Sequence, residues 1–187
     1  MKLTFQKDDL LNGINIVLKA VPSKTTMPIL ECILIDASDN QIKLTANDME
    51  LGIETKVEGS ILSKGKIALD AKLLSEIIRK LSGGESDITI ESDDKYNTTI
   101  TCDNSVFHIQ GKNGDEFSYL PFIEKDHFIC LSQFTLKEVI RQTLFSISVN
   151  DSNKMMTGEL FQVTDNELKV VSLDGHRMSI RKVELKD

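Results

Sequence analysis

The sequence predicts an α+β fold in which short antiparallel strands outnumber the helices. Apolar residues recur at helical spacing in only three segments of the 187-residue chain. The other regular segments are β-branched or alternating, and tight turns such as Asp39-Asn40 and Asp103-Asn104 separate them. Strands joined by tight turns pair antiparallel, because a parallel pair needs a long crossover connection. Few helices with many antiparallel strands are typical of the α+β class.

Three amphipathic helices are expected, over residues 7–20, 70–82 and 136–147. Asp70 is a suitable N-cap for the second helix, and Gly83-Gly84 would end it. The residues expected on the three buried faces are Leu10, Leu11, Ile14, Val17 and Leu18; Leu73, Leu74, Ile77, Ile78 and Leu81; and Val139, Ile140, Leu144 and Ile147. Seven strands are predicted, at 30–35, 41–46, 51–58, 67–69, 87–91, 98–102 and 106–110.

A weak internal repeat relates the two ends of the chain. Residues 39–48 resemble residues 165–174, which is an offset of 165 − 39 = 126. The same offset carries Lys56-Val57-Glu58 onto Lys182-Val183-Glu184. A chance likeness between segments of similar pattern is the alternative, because short matches carry a false-positive risk.

The repeat also predicts the domain organisation. After small insertions, residues 5–11 align with residues 134–140. We therefore expect a first domain over 1–120 and a second unit over 121–187. At the offset of 126, residue 187 corresponds to residue 61, so we expect the second unit to be the first half of a domain whose remainder is absent.

The composition excludes several classes of protein. With 40% apolar and 27% charged residues the chain has the profile of a globular protein, and no apolar run reaches the roughly 18 residues of a membrane helix. The first residues lack the apolar stretch of a secretory signal. Cys32, Cys102 and Cys130 stand singly, so neither a disulfide framework nor a metal site is expected. A cytoplasmic location without a membrane partner follows.

The charge is acidic overall but unevenly placed. A net charge of −7 argues against tight, indiscriminate binding to nucleic acid. Acids are expected mainly in turns and at strand edges, with Glu76 and Glu138 as exceptions on helices. The outward helix faces hold Asn12, Asn15, Lys19, Lys72, Arg79, Lys137, Arg141 and Gln142. Such faces would hold a polyanion through weak, non-specific phosphate contacts, although an ordinary solvated face is the simpler interpretation.

Catalytic signatures are scarce. The sequence contains no GxxxxGK[ST], GxSxG or HExxH motif, and its three histidines lack metal-like spacing. The segment Asp174-Gly175-His176-Arg177 suggests a catalytic cluster, but a turn with local hydrogen bonds explains it as well. Its counterpart in the repeat, Asp48-Met49-Glu50-Leu51, retains only the Asp. We therefore expect the Gly-His-Arg segment to serve recognition, and we expect no cofactor.

Four motifs carry a resemblance to a known family. They are Met1-Lys2-Leu3-Thr4-Phe5, Met27-Pro28-Ile29-Leu30, the segment Leu44–Glu50 and, most specifically, Asp174-Gly175-His176-Arg177-Met178. Together they span nearly the whole chain in family order. At these residues the sequence resembles the bacterial DNA polymerase III beta subunit family, the sliding clamps.

The resemblance implies a fold and a function. It implies the DNA-clamp fold, whose repeated units place two helices inside and antiparallel sheets outside. Three such domains per subunit would form a head-to-tail homodimer that closes a ring around duplex DNA. The ring would tether the replicative polymerase as a processivity factor in DNA replication and would perform no chemistry itself. The third domain would be absent from this chain, along with the rest of the second.

The resemblance also assigns residues to DNA contact. Lys24, in the loop after the first helix, and Asn150, in the loop after the third, fall where the family contacts DNA. They would join the five helix residues Lys19, Lys72, Arg79, Lys137 and Arg141.

Two further sites follow from the resemblance. A pocket for peptides of the polymerase and the clamp loader would use Met156, Leu173, Gly175, His176, Arg177 and Met178. Leu173 departs from the family's usual Thr. The face for the second subunit would use Leu73, Ile77, Leu81, Phe107 and Ile109, although Leu73, Ile77 and Leu81 would also suit the domain core.

Two other functions remain open at this point. One is a protein–protein adaptor without a role on DNA. The other is an enzyme that uses Asp174 and His176 as an acid/base pair.

Overall fold

A computed structural model of the chain describes residues 1–81, 87–118, 120, 124, 126, 128–149 and 153–185. The chain forms two compact units, Met1–Phe122 and Ile123–Asp187. Among the described residues, no helix has the length and apolarity that a membrane crossing requires.

The first unit contains two helices and ten strands in the described residues. The helices are α1 (Lys7–Val17) and α2 (Ala71–Lys80). The strands are β1 (Lys2–Phe5), β2 (Cys32–Asp36), β3 (Ile42–Asn47), β4 (Gly52–Val57), β5 (Ser60–Ser63), β6 (Lys66–Asp70), β7 (Ile88–Ser92), β8 (Asn97–Cys102), β9 (Ser105–Gln110) and β10 (Lys112–Asn113). Short 3₁₀ turns cover Leu18–Ala20 and Gly114–Glu116.

The first unit is built from two half-units of the same topology. The first half-unit (residues 2–63) runs β1-α1-β2-β3-β4-β5, and the second (residues 66–113) runs β6-α2-β7-β8-β9-β10. Two antiparallel sheets result, with strand orders β5-β1-β7-β8-β9 and β10-β6-β2-β3-β4. Each half-unit therefore gives its first strand to the sheet of the other, since β1 pairs with β7 and β6 pairs with β2. The two sheets and both helices share one apolar core.

The second unit repeats the first half-unit. It contains α3 (Gln133–Thr143), β11 (Leu160–Thr164), β12 (Glu167–Leu173) and β13 (Met178–Glu184), with 3₁₀ turns over Leu144–Ser146 and Lys154–Thr157. The three strands form one antiparallel sheet in the order β11-β12-β13. Val139 on the helix packs against Leu168 and Val170 on β12 in a small core.

The α+β prediction is confirmed, and all seven predicted strands are present with their ends shifted by a residue or two. The strands β1, β5 and β10 were not predicted in the first unit. The third helix begins at Gln133, three residues before the predicted start, because the Ser132 hydroxyl caps it by accepting a hydrogen bond from the Thr135 amide at 3.0 Å. The expected stop at Gly83-Gly84 lies outside the described residues.

Two predictions of core residues are wrong. Leu73 on α2 and Leu144 after α3 are 44% and 50% exposed. Leu73 lies at the edge of the apolar face of α2, where Leu74 and Ile78 take the central positions at 0% exposure. Leu144 follows the last residue of α3, where the chain has already tightened into a 3₁₀ turn.

The structure confirms the repeat, but the alignment of residues 5–11 with residues 134–140 is wrong. Helices α1 and α3 both have 11 residues, and their starts differ by 133 − 7 = 126. The strand register follows the same offset, because Leu34 opposes Thr45 and Leu160 opposes Val171. Phe5 therefore does not match Phe134: Phe5 is buried in β1, whereas Phe134 is exposed on α3. Matching by residue type missed this, because position is set by helix caps and strand pairing.

A glycine controls how closely α1 approaches the sheet. A Cβ on Gly13 would overlap Cγ2 of Val57 on β4 and would lie 3.1 Å from Cδ1 of Leu44. In the second unit the residue equivalent to Gly13 is Val139, so α3 packs against its sheet through a valine side chain.

We predict that Gly13→Ala lowers the free energy of unfolding by about 1 kcal/mol. Alanine gains about 1 kcal/mol in helix propensity, but overpacking costs about 1–3 kcal/mol. The control is Gly158→Ala, whose new Cβ would meet nothing within 4 Å. Urea unfolding measures both variants. A Gly13→Ala variant that is more stable than the parent chain would contradict the close approach.

Candidate functional site

The turn between β12 and β13 is organised by one carboxylate. Oδ1 of Asp174 accepts hydrogen bonds from the amides of His176 and Arg177, each at 3.0 Å. Oδ2 accepts a third from Nε of Arg177 at 2.8 Å. The amide bond from His176 is the main cause that lowers the pKa of Asp174, and the contacts with Arg177 add to it. Gly175 has a φ of +86°, which glycine adopts without strain.

The first unit contains the same turn. Oδ1 of Asp48 accepts hydrogen bonds from the amides of Glu50 at 2.9 Å and Leu51 at 2.6 Å. Hydrogen bonds from Leu51 and Glu50 lower the pKa of Asp48 as well. Met49 takes the left-handed place of Gly175, with a φ of +76°. The Asp-capped turn is therefore common to both units, and the Asp that the two segments share is the residue that organises it.

An apolar cavity lies beside this turn in the second unit. It has a volume of about 460 Å³, and its apolar lining residues are Met155, Met156, Leu160, Val171 and Leu173. Met178 stands directly opposite Leu173 in the strand ladder. The structure thus brings Met156, Leu173 and Met178 to one end of the hairpin. Gly175, His176 and Arg177 form the exposed turn next to it.

Sequence reasoning missed three of the apolar lining residues, Met155, Leu160 and Val171. Val171 and Leu173 are two residues apart on one strand, so a shared face was readable from the sequence. Leu160 could not be found in this way, because it reaches the cavity only through its register with Val171 across the sheet.

The helices of the first unit present polar residues on one side. Helices α1 and α2 pack against each other, and Nη2 of Arg79 donates a hydrogen bond to Oδ1 of Asn15 at 3.0 Å. Lys19 and Lys72 are exposed, as is Lys24 in the segment after α1. The expectation that acids avoid the helices is wrong in one respect, because the first turn of α1 carries exposed Asp8 and Asp9. Acids are favourable there because the N-terminal end of a helix is electropositive.

In the second unit the two basic side chains of α3, Lys137 and Arg141, have different surroundings. Arg141 donates two hydrogen bonds to the Glu138 carboxylate, at 3.0 and 2.8 Å. This contact lowers the pKa of Glu138 and raises the pKa of Arg141. Lys137 is exposed on the same helix. Asn150 lies outside the described residues.

The comparisons with known proteins agree with this architecture. Residues 1–121 match the family model described as DNA polymerase III beta subunit, N-terminal domain, and residues 130–187 match the central domain of the same subunit. The chain belongs to the DNA polymerase III beta subunit family. Over 193 residues it is 38% identical to the "Beta sliding clamp" of Bacillus subtilis strain 168, covering 99% of this chain and 50% of that protein.

Solved structures show the same fold. A crystal structure described as a putative DNA polymerase III beta subunit from Eubacterium rectale is 62% identical, with a TM-score of 0.94. It is matched over 100% of this chain and 51% of its own. The "Beta sliding clamp" of Staphylococcus epidermidis is 35% identical over 195 residues, again with 100% and 51% coverage. The chain therefore spans about half the length of these beta subunit relatives.

The predicted subunit face of this beta subunit chain is an open groove. A cavity of about 290 Å³ is lined by Leu73, Ile77, Phe107 and Ile109, with Glu76, Lys80 and His108 around it. Leu81 is the one predicted residue that does not line this groove. Ile77 and Leu81 are 6% and 4% exposed and both belong to the core, whereas Leu73 is 44% exposed.

The enzyme alternative gains no support from the turn. The carboxylate of Asp174 is already engaged by two amides and a guanidinium, and its lowered pKa makes it a weak base. The bond that joins Asp174 to His176 runs to the backbone amide, not to the imidazole. Within the described part of the chain, no group of three His, Cys, Asp or Glu residues is placed to hold a metal.

We predict that Asp174→Asn destabilises the β12–β13 hairpin at pH 7 but not in acid. The folded pKa of Asp174 is lowered, so its contribution is present above the unfolded pKa of about 3.9 and is lost as the pH falls through the folded value. Amide protection factors in β12 and β13, measured at pH 7 and below pH 3, test this. Asp48→Asn is the matched control, with the same pH dependence confined to β3 and β4. An equal loss of protection at both pH values would contradict the role of the charge.

Proposed function

We propose that this chain supplies the first domain and the beginning of the second domain of a DNA sliding clamp. Such a clamp encircles duplex DNA and gives the replicative polymerase its processivity, without chemistry of its own. The observation that carries the proposal is the repeat, in which a constant offset of 126 residues places the helix, the hairpin strands and the Asp-capped turn of both units in the same order. The names of the relatives, beta sliding clamps, support it.

The charges on the helix side of the first unit fit a protein that encloses DNA better than one that binds DNA tightly. The helix side of the first unit combines Lys19, Lys72 and Arg79 with amides and a few acids, on a chain whose net charge is −7. A surface of this kind makes weak phosphate contacts that salt readily breaks. Weak contacts are what a ring needs, because topology holds the DNA and the protein must still slide.

We predict that replacing Lys19, Lys72 and Arg79 by Ala weakens the binding of duplex DNA at low ionic strength. The slope of log affinity against log salt should become shallower by about 0.9 for each phosphate that the variant no longer neutralises. The matched control removes three lysines outside the helices, Lys43, Lys56 and Lys64. Fluorescence anisotropy with labelled duplex measures both triple variants. Equal weakening by the two would remove the helix face from the proposal, and no DNA binding by the parent chain would favour the adaptor.

The second unit is the proposed docking site for partner peptides. The cavity beside the Asp174 turn offers Met156 and Leu173 as an apolar floor, and Met side chains adapt to varied ligands. His176 and Arg177, exposed on the turn, would supply polar contacts at its rim. Peptides of the polymerase and the clamp loader are the proposed ligands.

We predict that Leu173→Asp weakens the binding of a synthetic peptide with two large apolar side chains by at least about tenfold. Burying a leucine contributes about 1.5–3 kcal/mol, and 1.4 kcal/mol is a factor of ten in affinity. Gln162→Asp, on the same sheet but outside the cavity lining, is the control. NMR titration measures the affinity and also shows whether the fold is retained. An unchanged affinity in Leu173→Asp would reject the cavity as the docking site.

The groove at Leu73, Ile77, Phe107 and Ile109 is the proposed contact with a second subunit in the complete clamp. The proposed location of that clamp is the cytoplasm. This face combines partly buried apolar side chains with Glu76 and Lys80 at its rim, which is typical of a subunit interface.

A further inference from the structure

A short segment of the first unit covers the outer face of one of its sheets. We call this segment the strap; it consists of residues 114–118 and Leu120, after strand β10. Phe117 in the strap is 2% exposed. It packs in a small apolar cluster with three buried residues of β2 and β6, which are Cys32, Leu34 and Ala68. This cluster is separate from the main core of the unit, which draws on both helices and both sheets.

Polar contacts flank the phenylalanine ring on both sides. Two residues before it, Oδ1 of Asp115 lies 3.4 Å from Nζ of Lys66 on β6, and the Asp115 side chain is 74% exposed. In the residue after it, the carbonyl oxygen of Ser118 accepts a hydrogen bond from Nδ2 of Asn47 at 3.3 Å. Both contacts break at small cost, because the ion pair is solvated and the hydrogen bond is long.

A glycine makes room for the second apolar anchor of the strap. Leu120 lies against Gly52, the first residue of the edge strand β4. A Cβ on Gly52 would overlap Cδ2 of Leu120 and would lie 3.1 Å from its Cγ. Phe117 and Leu120 therefore occupy two apolar sites on one sheet. We call the surface under the strap the strap groove, and its residues are Cys32, Leu34, Asn47, Gly52 and Ala68.

We propose that the strap groove is a docking site for a segment of another protein, and that the strap is its internal occupant. The segment that fits has an acidic residue, a phenylalanine two residues later and a leucine three residues after that. These are the groups that the groove binds in Asp115, Phe117 and Leu120. The groove lies within the first unit, so the proposal does not depend on the site beside Asp174.

The strap is attached in a way that allows it to open while the rest of the unit stays folded. Segments with few buried apolar contacts open at lower free energy than the core to which they are attached. The strap contributes one ring to a small cluster, whereas the main core holds the two helices on both sheets. A partner segment can bind only in the open state, so its apparent affinity is reduced in proportion to the open fraction.

Cys32 is a natural reporter of the groove. Its thiol is 2% exposed in the cluster of Phe117, and it donates a hydrogen bond to the carbonyl oxygen of Pro28 at 3.8 Å. Burial raises the pKa of the Cys32 thiol, so little reactive thiolate is present while the strap is closed. Cys102 in the main core is an internal reference, and the exposed Cys130 shows the rate of a freely accessible thiol.

Alkylation of the full chain by N-ethylmaleimide, with peptide mapping to locate the labelled cysteine, measures the opening of the strap. Gly52→Ala should raise the labelling rate of Cys32 by at least about tenfold, because the new Cβ displaces Leu120 and leaves Phe117 in place. Phe117→Ala should raise this rate further, and Leu62→Ala on the exposed face of β5 is the control. Equal acceleration at Cys32 and Cys102 would show a loosened core and would overturn the proposal.

A synthetic peptide with the sequence of residues 112–120 tests the docking itself. With the Phe117→Ala chain, the peptide should slow the labelling of Cys32 in a saturable way, by at least about fivefold. Its apparent affinity for the parent chain should be at least about tenfold weaker, because the strap competes there.

The matched control peptide has serine in place of the phenylalanine and the leucine. Failure of the first peptide to protect Cys32, equal protection by the control peptide, or equal affinity for the parent chain would each overturn the proposal. A peptide bound in the cavity beside Asp174 would leave the labelling of Cys32 unchanged. Failure here is therefore distinct from failure of the proposed function.

Discussion

The reciprocal exchange of first strands between two half-units is the constraint on which the rest of the structure depends. Because β1 completes the sheet of the second half-unit and β6 completes that of the first, neither half can bury its apolar face alone. The shared core includes residues of both sheets and both helices. The same constraint explains why the second unit, which holds the elements of one half-unit in the described residues, exposes Leu160 and Phe161 on β11.

The two units have the same order of elements, but at three buried positions the second unit has hydroxyl side chains where the first unit has apolar ones. Val17, Ala20 and Ala46 of the first unit correspond to Thr143, Ser146 and Ser172 of the second, all of them buried. The hydroxyls find partners: Ser172 donates to the Thr143 carbonyl at 2.5 Å, and Ser146 bonds to Ser179 at 2.5 Å. Among the described residues no buried side-chain polar atom lacks a partner, so the substitutions avoid the penalty of an unsatisfied group.

The same scaffold carries two different surfaces. In the first unit, the Asn47 side chain donates to the Ser118 carbonyl and Phe117 packs on Leu34, so the chain itself covers the outer sheet face. In the second unit the equivalent face holds the open cavity beside Leu173. The position of the open cavity is thus decided by what covers the repeated sheet, since the turn beside it is common to both units.

Sequence alone determined the fold class, the helices α1 and α2, the repeat and the Asp-capped turn. These depend on local signals: helical spacing, the Asp70 cap and the recurrence of an Asp before each hairpin's return strand. Only the tertiary structure decided the strand exchange, the exposure of Leu73 and the part that Leu160 plays in the cavity. Each of these follows from pairing between residues far apart in the chain. Such pairing is fixed by which apolar faces must be covered together, and a single sequence does not display that.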